Sequence, residues 1–137
     1  QDNYNLKTSH FIPALIRKIH TAIKKKKNFI EVWGTGKPKR EIMHVDDLAE
    51  SIIYFLNKKT NESLINIGSG YEKTINEYAK ILIKIFGKKL KIKNFKKNLN
   101  GVKRKLLNTN LAKKYGWVSK QNIVKKLEET YKSYNSL

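Results

Sequence analysis

The chain has 137 residues, 39% of them hydrophobic, which is enough for one packed core and short for two domains. It contains no cysteine, so disulfides, thiolate nucleophiles and zinc thiolate sites are excluded together, as suits a reducing compartment. The net charge of +19 comes from 30 basic against 11 acidic residues, yet Arg17, Arg40 and Arg104 are the only arginines. Phosphate and base-edge recognition favours the bidentate guanidinium. Because the lysines are spread over nearly every segment, the charge reads as solvated surface and not as a nucleic-acid footprint. No apolar run approaches the roughly 20 residues needed to span a bilayer, and the first 30 residues lack a signal-peptide core. A soluble, cytoplasmic α/β protein without a membrane partner is expected. The chain opens on Gln1 and its single methionine is Met43, so it is expected to be part of a longer protein.

In chain order, Ser9, His10 and Pro13 precede a helix whose Ile12, Ile16, Ile19 and Ile23 recur at the spacing of a buried stripe. Phe11, Leu15 and Lys18 form a second stripe about 100° around the same helix, free to face a ligand while the first packs. The lysine run at 24–27 reads as the solvated end of this helix, where cations oppose the negative pole of the dipole. The runs 29–33 and 41–45 read as neighbouring strands joined by a glycine-rich loop. Asp46 or Asp47 is expected to cap a helix through about Asn57, with Leu48, Ile52, Ile53 and Phe55 or Leu56 as its apolar side. Residues 63–67 look strand-like and end at Gly68, Ser69 and Gly70. Thr74 and Glu77 form a capping box opening a helix that Gly87 terminates. Residues 90–95 suggest a strand, 96–105 a polar loop, and Asn108 the cap of a short helix stopping at Gly116. Asn122 starts a final helix with Ile123, Leu127, Tyr131 and Tyr134 on one side.

Residues 32–47, VWGTGKPKREIMHVDD, carry the most chemistry: an aromatic, two glycines and a cationic cluster between strand-like runs. A loop of this kind can lay backbone and arginine against a phosphate. His44, Asp46 and Asp47 lie close enough to suggest catalysis or a metal. Without a further His, Cys or acid at ligand spacing, the Asp pair reads as a helix cap and His44 as a strand end. Tyr54 and Lys58 are spaced as YxxxK but sit at a solvated helix end, so Tyr54 reads as structural. His20 reads as exposed.

The ordered set SHFIPALIRK, VWGTGKPKRE, HVDD, NIGSG, GVKRKLLN and YGW resembles the C-terminal part of the GDP-L-fucose synthase family, extended short-chain dehydrogenase/reductases. HVDD and NIGSG are common among nucleotide-sugar epimerases and dehydratases; the first two segments are more specific. The resemblance runs from about Ser9 to the end. It implies a small mixed α/β substrate-binding domain with C-terminal elements of a Rossmann-type enzyme, spanning residues 1–137. The N-terminal cofactor-binding half, with its glycine fingerprint and Ser/Tyr/Lys hydride-transfer set, is lacking. NADP is then the implied cofactor, bound mainly by that half, and a GDP-sugar the implied partner. Homodimers are common in the family, mainly through helices of the missing half.

Residue by residue, His10 falls on the family histidine that gives or takes a proton during epimerisation and lies near the nicotinamide; an imidazole with a free pKa near 6.5 suits that role. Phe11, Leu15, Lys18, Val32, Trp33, Arg40, Asn100 and Lys105 fall on substrate-binding positions. Trp33 can lay a flat apolar face on the nucleotide sugar, and Arg40 can grip two phosphate oxygens. Lys18 stands where the family has Arg, keeping the charge without the fork. Asn100 stands where it has Asp, with Asn98 and Leu99 replacing Lys and Pro before it. Lys105 matches a lysine near the diphosphate. The implied activity is NADPH-dependent conversion of GDP-4-keto-6-deoxy-D-mannose to GDP-L-fucose, which this chain alone would not complete. A related enzyme such as one making GDP-colitose, and a lysine-rich nucleic-acid-binding module, are the alternatives.

Overall fold

The computed structural model describes residues 2–95 and 101–136. Helix α1 (Phe11–Lys24) lies against strand β1 (Phe29–Trp33) and helix α3 (Ile75–Ile85), with α5 (Ile123–Asn135) packed on α3 and reaching α1 through Tyr134 and His20. Ile16, Ile19, Ile30, Val32, Tyr78, Leu82, Ile123 and Leu127 are buried there together. The isoleucine stripe of α1 thus packs inward through Ile16 and Ile19, both fully buried, as the spacing requires. Tyr131 stacks on Phe86 with ring centroids 3.7 Å apart, so α5 is fastened by an aromatic pair as well as by Ile123 and Leu127.

The strands form two small sheets. β1 pairs in parallel with β4 (Lys91–Phe95), Trp33 lying opposite Phe95. β2 (Lys39–Glu41) is the centre of the second sheet, antiparallel to β3 (Glu72–Thr74) and parallel to β5 (Arg104–Lys105). The two strands joined by the glycine-rich loop therefore belong to different sheets and are not paired, contrary to the sequence expectation. Lys39–Glu41 is also shorter and earlier than the expected 41–45, because the chain from His44 onward is taken up by helix α2 (Val45–Leu56).

His44, not Asp46 or Asp47, is the N-cap of α2: its Nδ1 accepts the Asp46 backbone N–H at 3.3 Å. Asp47 is instead fully buried. It accepts from Ser119 Oγ at 2.5 Å and from the backbone N–H groups of Lys120 (3.1 Å) and Gln121 (3.4 Å), tying α2 to the segment that leads into α5. Most of the apolar side expected for α2 does not pack: Leu48, Ile52, Ile53 and Leu56 are exposed and Phe55 is half-buried, while the buried Asp47 and the Tyr54 hydroxyl, which donates to Tyr115 O at 2.7 Å, tie the helix to the chain beyond it. Residues 63–67 form no strand, since no neighbouring strand among the described residues offers them a ladder; Leu64 is 73% exposed. His20 is half-buried, edge-on to Tyr134 at 5.3 Å between ring centroids, rather than exposed. Asn108 Oδ1 accepts the Asn110 N–H at 3.0 Å ahead of helix α4 (Asn110–Lys114), whose formal N-cap is Thr109.

The capping box at α3 forms as expected: Thr74 Oγ1 accepts the Glu77 N–H and Glu77 Oε2 accepts the Thr74 N–H. The Thr74 backbone and hydroxyl donors hold the Glu77 carboxyl below the usual glutamate range. A group whose folded pKa is depressed contributes its stability above the unfolded value and loses it as pH falls through the folded one. Hydrogen exchange at the Ile75 to Tyr78 amides is accordingly expected to be slow at neutral pH and to lose protection below the ordinary glutamate pKa, and a Glu77→Gln protein should show the weaker cap already at neutral pH.

Candidate functional site

The glycine-rich loop is held by the start of α3. Ile75 N donates to Pro38 O and Asn76 N to Gly36 O, both at 3.1 Å, while the Asn76 amide reaches Thr35 O and pairs reciprocally with the Asn94 amide. The first N–H groups of α3, which an isolated helix would leave unpaired, are thus used to position the loop and not a ligand. Gly36 has φ +68°, and a Cβ there would fall on the Asn76 side chain. Gly36→Ala is therefore expected to destabilise the fold, by about 1–2 kcal/mol for the left-handed backbone alone, and to loosen the loop; urea unfolding together with the loss of the Asn76–Asn94 amide protections would read both.

Between this loop, α1 and β2 lies a cavity of about 240 Å³ walled by Leu6, Ser9, Phe11, Leu15, Lys18, Val32, Trp33 and Arg40, among others. Six of the eight residues assigned to substrate binding from the sequence converge here. They play unequal parts. Leu15 and Val32 are buried and make its floor, Phe11 is half-buried against Tyr78 (5.4 Å between ring centroids), and Trp33 stands 54% exposed at the rim. Leu6 and Ser9 also stand in the wall, though neither was expected to bind a ligand; Ser9 Oγ is buried without a hydrogen-bond partner among the described residues.

Arg40 is not a free fork. Its Nη1 donates to Lys39 O at 2.7 Å and to Val102 O at 2.8 Å, so it anchors the 101–102 segment beside the cavity. Among the described residues Nη2 and Nε have no hydrogen-bond partner. Lys105 does not line the cavity; it lies in register with Arg40 on β5, and Lys73 lies in register on the other side. In-register residues share a sheet face, so three cations stand in a row across this small sheet. Tyr78, fully buried, aims its hydroxyl at Arg40 O (2.9 Å) and Tyr71 O (3.0 Å), and burial pushes its pKa well above the usual tyrosine value. Asn100 lies outside the described residues.

His10 is placed apart from this cluster. It is exposed at the N-cap of α1, makes no capping bond, and lines a wider neighbouring cavity of about 720 Å³ with His44, Val45 and Lys126; Phe11 belongs to both cavities. Toward a dinucleotide the described residues supply little more. The Gly68–Gly70 turn follows no strand, and the Gly70 N–H is donated to the Glu41 carboxylate at 2.7 Å, whose other oxygen accepts from Leu107 N. This turn is an anchored corner, and the described residues do not by themselves make a pyrophosphate site. No three His, Asp or Glu side chains among the described residues are grouped to hold a metal, and no described helix is long and apolar enough to cross a membrane.

Residues 1–68, just under half of the chain, match the model of the NAD dependent epimerase/dehydratase family. Its relatives are narrower. Probable GDP-L-fucose synthase 1 of Oryza sativa subsp. japonica is 38% identical over 134 residues, 98% of this chain and 41% of the relative. GDP-L-colitose synthase of Yersinia pseudotuberculosis is 38% identical over 130 residues, 94% of this chain and 42% of the relative. Among solved structures, MlghC, a GDP-mannoheptose C4 reductase from Campylobacter jejuni with NADP bound, superposes with a TM-score of 0.78 at 25% identity, over 98% of this chain and 49% of that one. The chain spans about two fifths of the length of the curated relatives it matches.

Proposed function

We propose that the chain is the nucleotide-sugar-binding part of an NADP-dependent GDP-sugar epimerase/reductase of the GDP-L-fucose synthase type. The complete protein would convert GDP-4-keto-6-deoxy-D-mannose to GDP-L-fucose by epimerisation and NADPH reduction. The observation that carries this reading is the convergence of Phe11, Leu15, Lys18, Val32, Trp33 and Arg40, drawn from α1, β1 and β2, on one cavity. Its chemistry suits such a ligand: an apolar floor, a flat indole at the rim for a sugar or base face, and a guanidinium with donors to spare for a diphosphate. Lys105 beside Arg40 adds charge on the same sheet face, and Asn100 is assigned to the substrate as well. His10, exposed and without a capping bond, is assigned the proton exchange of epimerisation from the neighbouring cavity. NADP would be held mainly by residues other than the described ones. The uncovered apolar face of α2 supports a chain that works with further folded structure against it. GDP-colitose formation is the second reading, favoured by the equally similar Yersinia relative.

Calorimetry with GDP, UDP and a short DNA duplex, each at two salt concentrations, tests the proposal. GDP binding stronger than UDP binding, with modest salt dependence, is expected. Steeply salt-dependent DNA binding without a GDP preference would overturn it in favour of a basic nucleic-acid module.

A further inference from the structure

Lys18 and Trp33 meet in a way that shared membership of a cavity wall does not require. Lys18 Nζ donates to Glu31 O at 3.0 Å and stands 4.3 Å from the centroid of the Trp33 ring. Both partners belong to β1, two residues apart, so one ammonium is fixed to the strand's backbone and to the side chain at the strand's end. The ammonium is partly desolvated there, which lowers its pKa against the opposing pull of the Glu31 carboxylate. A compact ammonium whose hydration has been replaced by a carbonyl and an indole face has to leave both to reach a phosphate, whereas Arg40 keeps donors of a planar fork at the same cavity. Trp33, for its part, is 54% exposed. A tryptophan at that exposure samples several rotamers unless a contact selects one. A cation beneath one ring face makes that selection, worth about 0.5–2 kcal/mol in such settings, and leaves the opposite face for a ligand.

We propose that Lys18 is a positioning residue: it holds the Trp33 ring in the orientation that stacks on the nucleotide sugar and does not itself ligate the phosphates. What stacks on the ring rests on the nucleotide-sugar reading above; the hold on the ring does not. The consequence for specificity is that loss of the Lys18 cation weakens every ligand that uses the indole face, whether or not it carries a diphosphate.

The test is a double-mutant cycle with Lys18→Met, which keeps the apolar stem, Trp33→Ala and the pair, read by GDP calorimetry in the full chain, together with the fluorescence anisotropy of Trp33 isolated by subtracting a Trp33→Phe protein. Lys18→Met is expected to lower the Trp33 anisotropy and to weaken GDP about three- to tenfold. Lys18→Arg should restore the anisotropy and bring affinity back to within about twofold, and Lys18→Met should have no further effect on GDP binding once Trp33 is alanine. An equal loss of GDP affinity in the Trp33→Ala background would show a direct phosphate contact and overturn the proposal, as would unchanged anisotropy in Lys18→Met. If the unmodified chain binds no GDP, the nucleotide-sugar reading falls, and the anisotropy pair still decides whether Lys18 holds the ring.

Discussion

Asp47→Ala is expected to destabilise the chain by about 3 kcal/mol or more. The carboxylate is fully buried and accepts three donors: the Ser119 hydroxyl and the backbone N–H groups of Lys120 and Gln121. Truncation removes the shared acceptor of these part-buried donors and leaves a void at a fully buried position, and each donor left unsatisfied away from water costs about 1–3 kcal/mol. Asp47→Asn keeps one acceptor oxygen and should recover part of the loss. The damage should be concentrated where α2 meets the entry to α5, so hydrogen exchange at the Lys120 and Gln121 amides should accelerate in Asp47→Ala well before urea unfolds the core around Ile16 and Leu82. A change below about 0.5 kcal/mol, the range of ordinary surface substitutions, would show that the carboxylate is not the anchor of that junction.

The second large effect is at Arg40. Arg40→Ala is expected to weaken GDP binding by about 1.5–3 kcal/mol, the range of a hydrogen bond to a charged group, which is about 10- to 150-fold at 1.4 kcal/mol per decade. The side chain has two duties, because its Nη1 also holds Lys39 O and Val102 O. Arg40→Lys separates them: the cation remains, the fork is gone, and binding should fall to an intermediate level while the 101–102 segment loses its tether. Affinity unchanged in Arg40→Ala would assign the residue to that tether alone.

The helices were largely legible in the sequence because their signals are local. The isoleucine spacing of α1, the Thr74/Glu77 box of α3 and the Asn122 cap of α5, whose side chain accepts from Lys125 N, all report on neighbours within a turn. Strand pairing was not, because it is decided far along the chain: β1 finds its partner in β4 some sixty residues on, and both partners of β2, antiparallel β3 and parallel β5, also lie well beyond it. The short run 63–67 has strand-like residues but no ladder among the described ones, and composition alone could not show that. Position 44 misled for a chemical reason. Asp is the better N-cap by rule, yet His44, two residues before Asp46, takes the cap and releases Asp47 for a buried tertiary role.

At the site, residue types were legible and their connections were not. The aromatic, the glycines and the arginine of 32–40 pointed to a ligand, and the structure brings Trp33 and Arg40 to one cavity with Phe11, Leu15 and Lys18. That Lys18 sits under the indole, that Arg40 spends Nη1 on two carbonyls, and that the Gly70 N–H is taken by Glu41 follow from contacts between distant segments. Spacing within one segment carries no record of them.

The most direct measurement of the central claim is a titration of the isotope-labelled chain with GDP, followed by amide and indole NMR shifts. The account predicts the largest shifts at Phe11, Leu15, Lys18, Val32, Arg40 and the Trp33 indole N–H, saturating together. Shifts concentrated instead on the lysine-lined groove of Lys80, Lys84, Lys88 and Lys91, between α3 and β4, with the Trp33 indole unmoved, would contradict it.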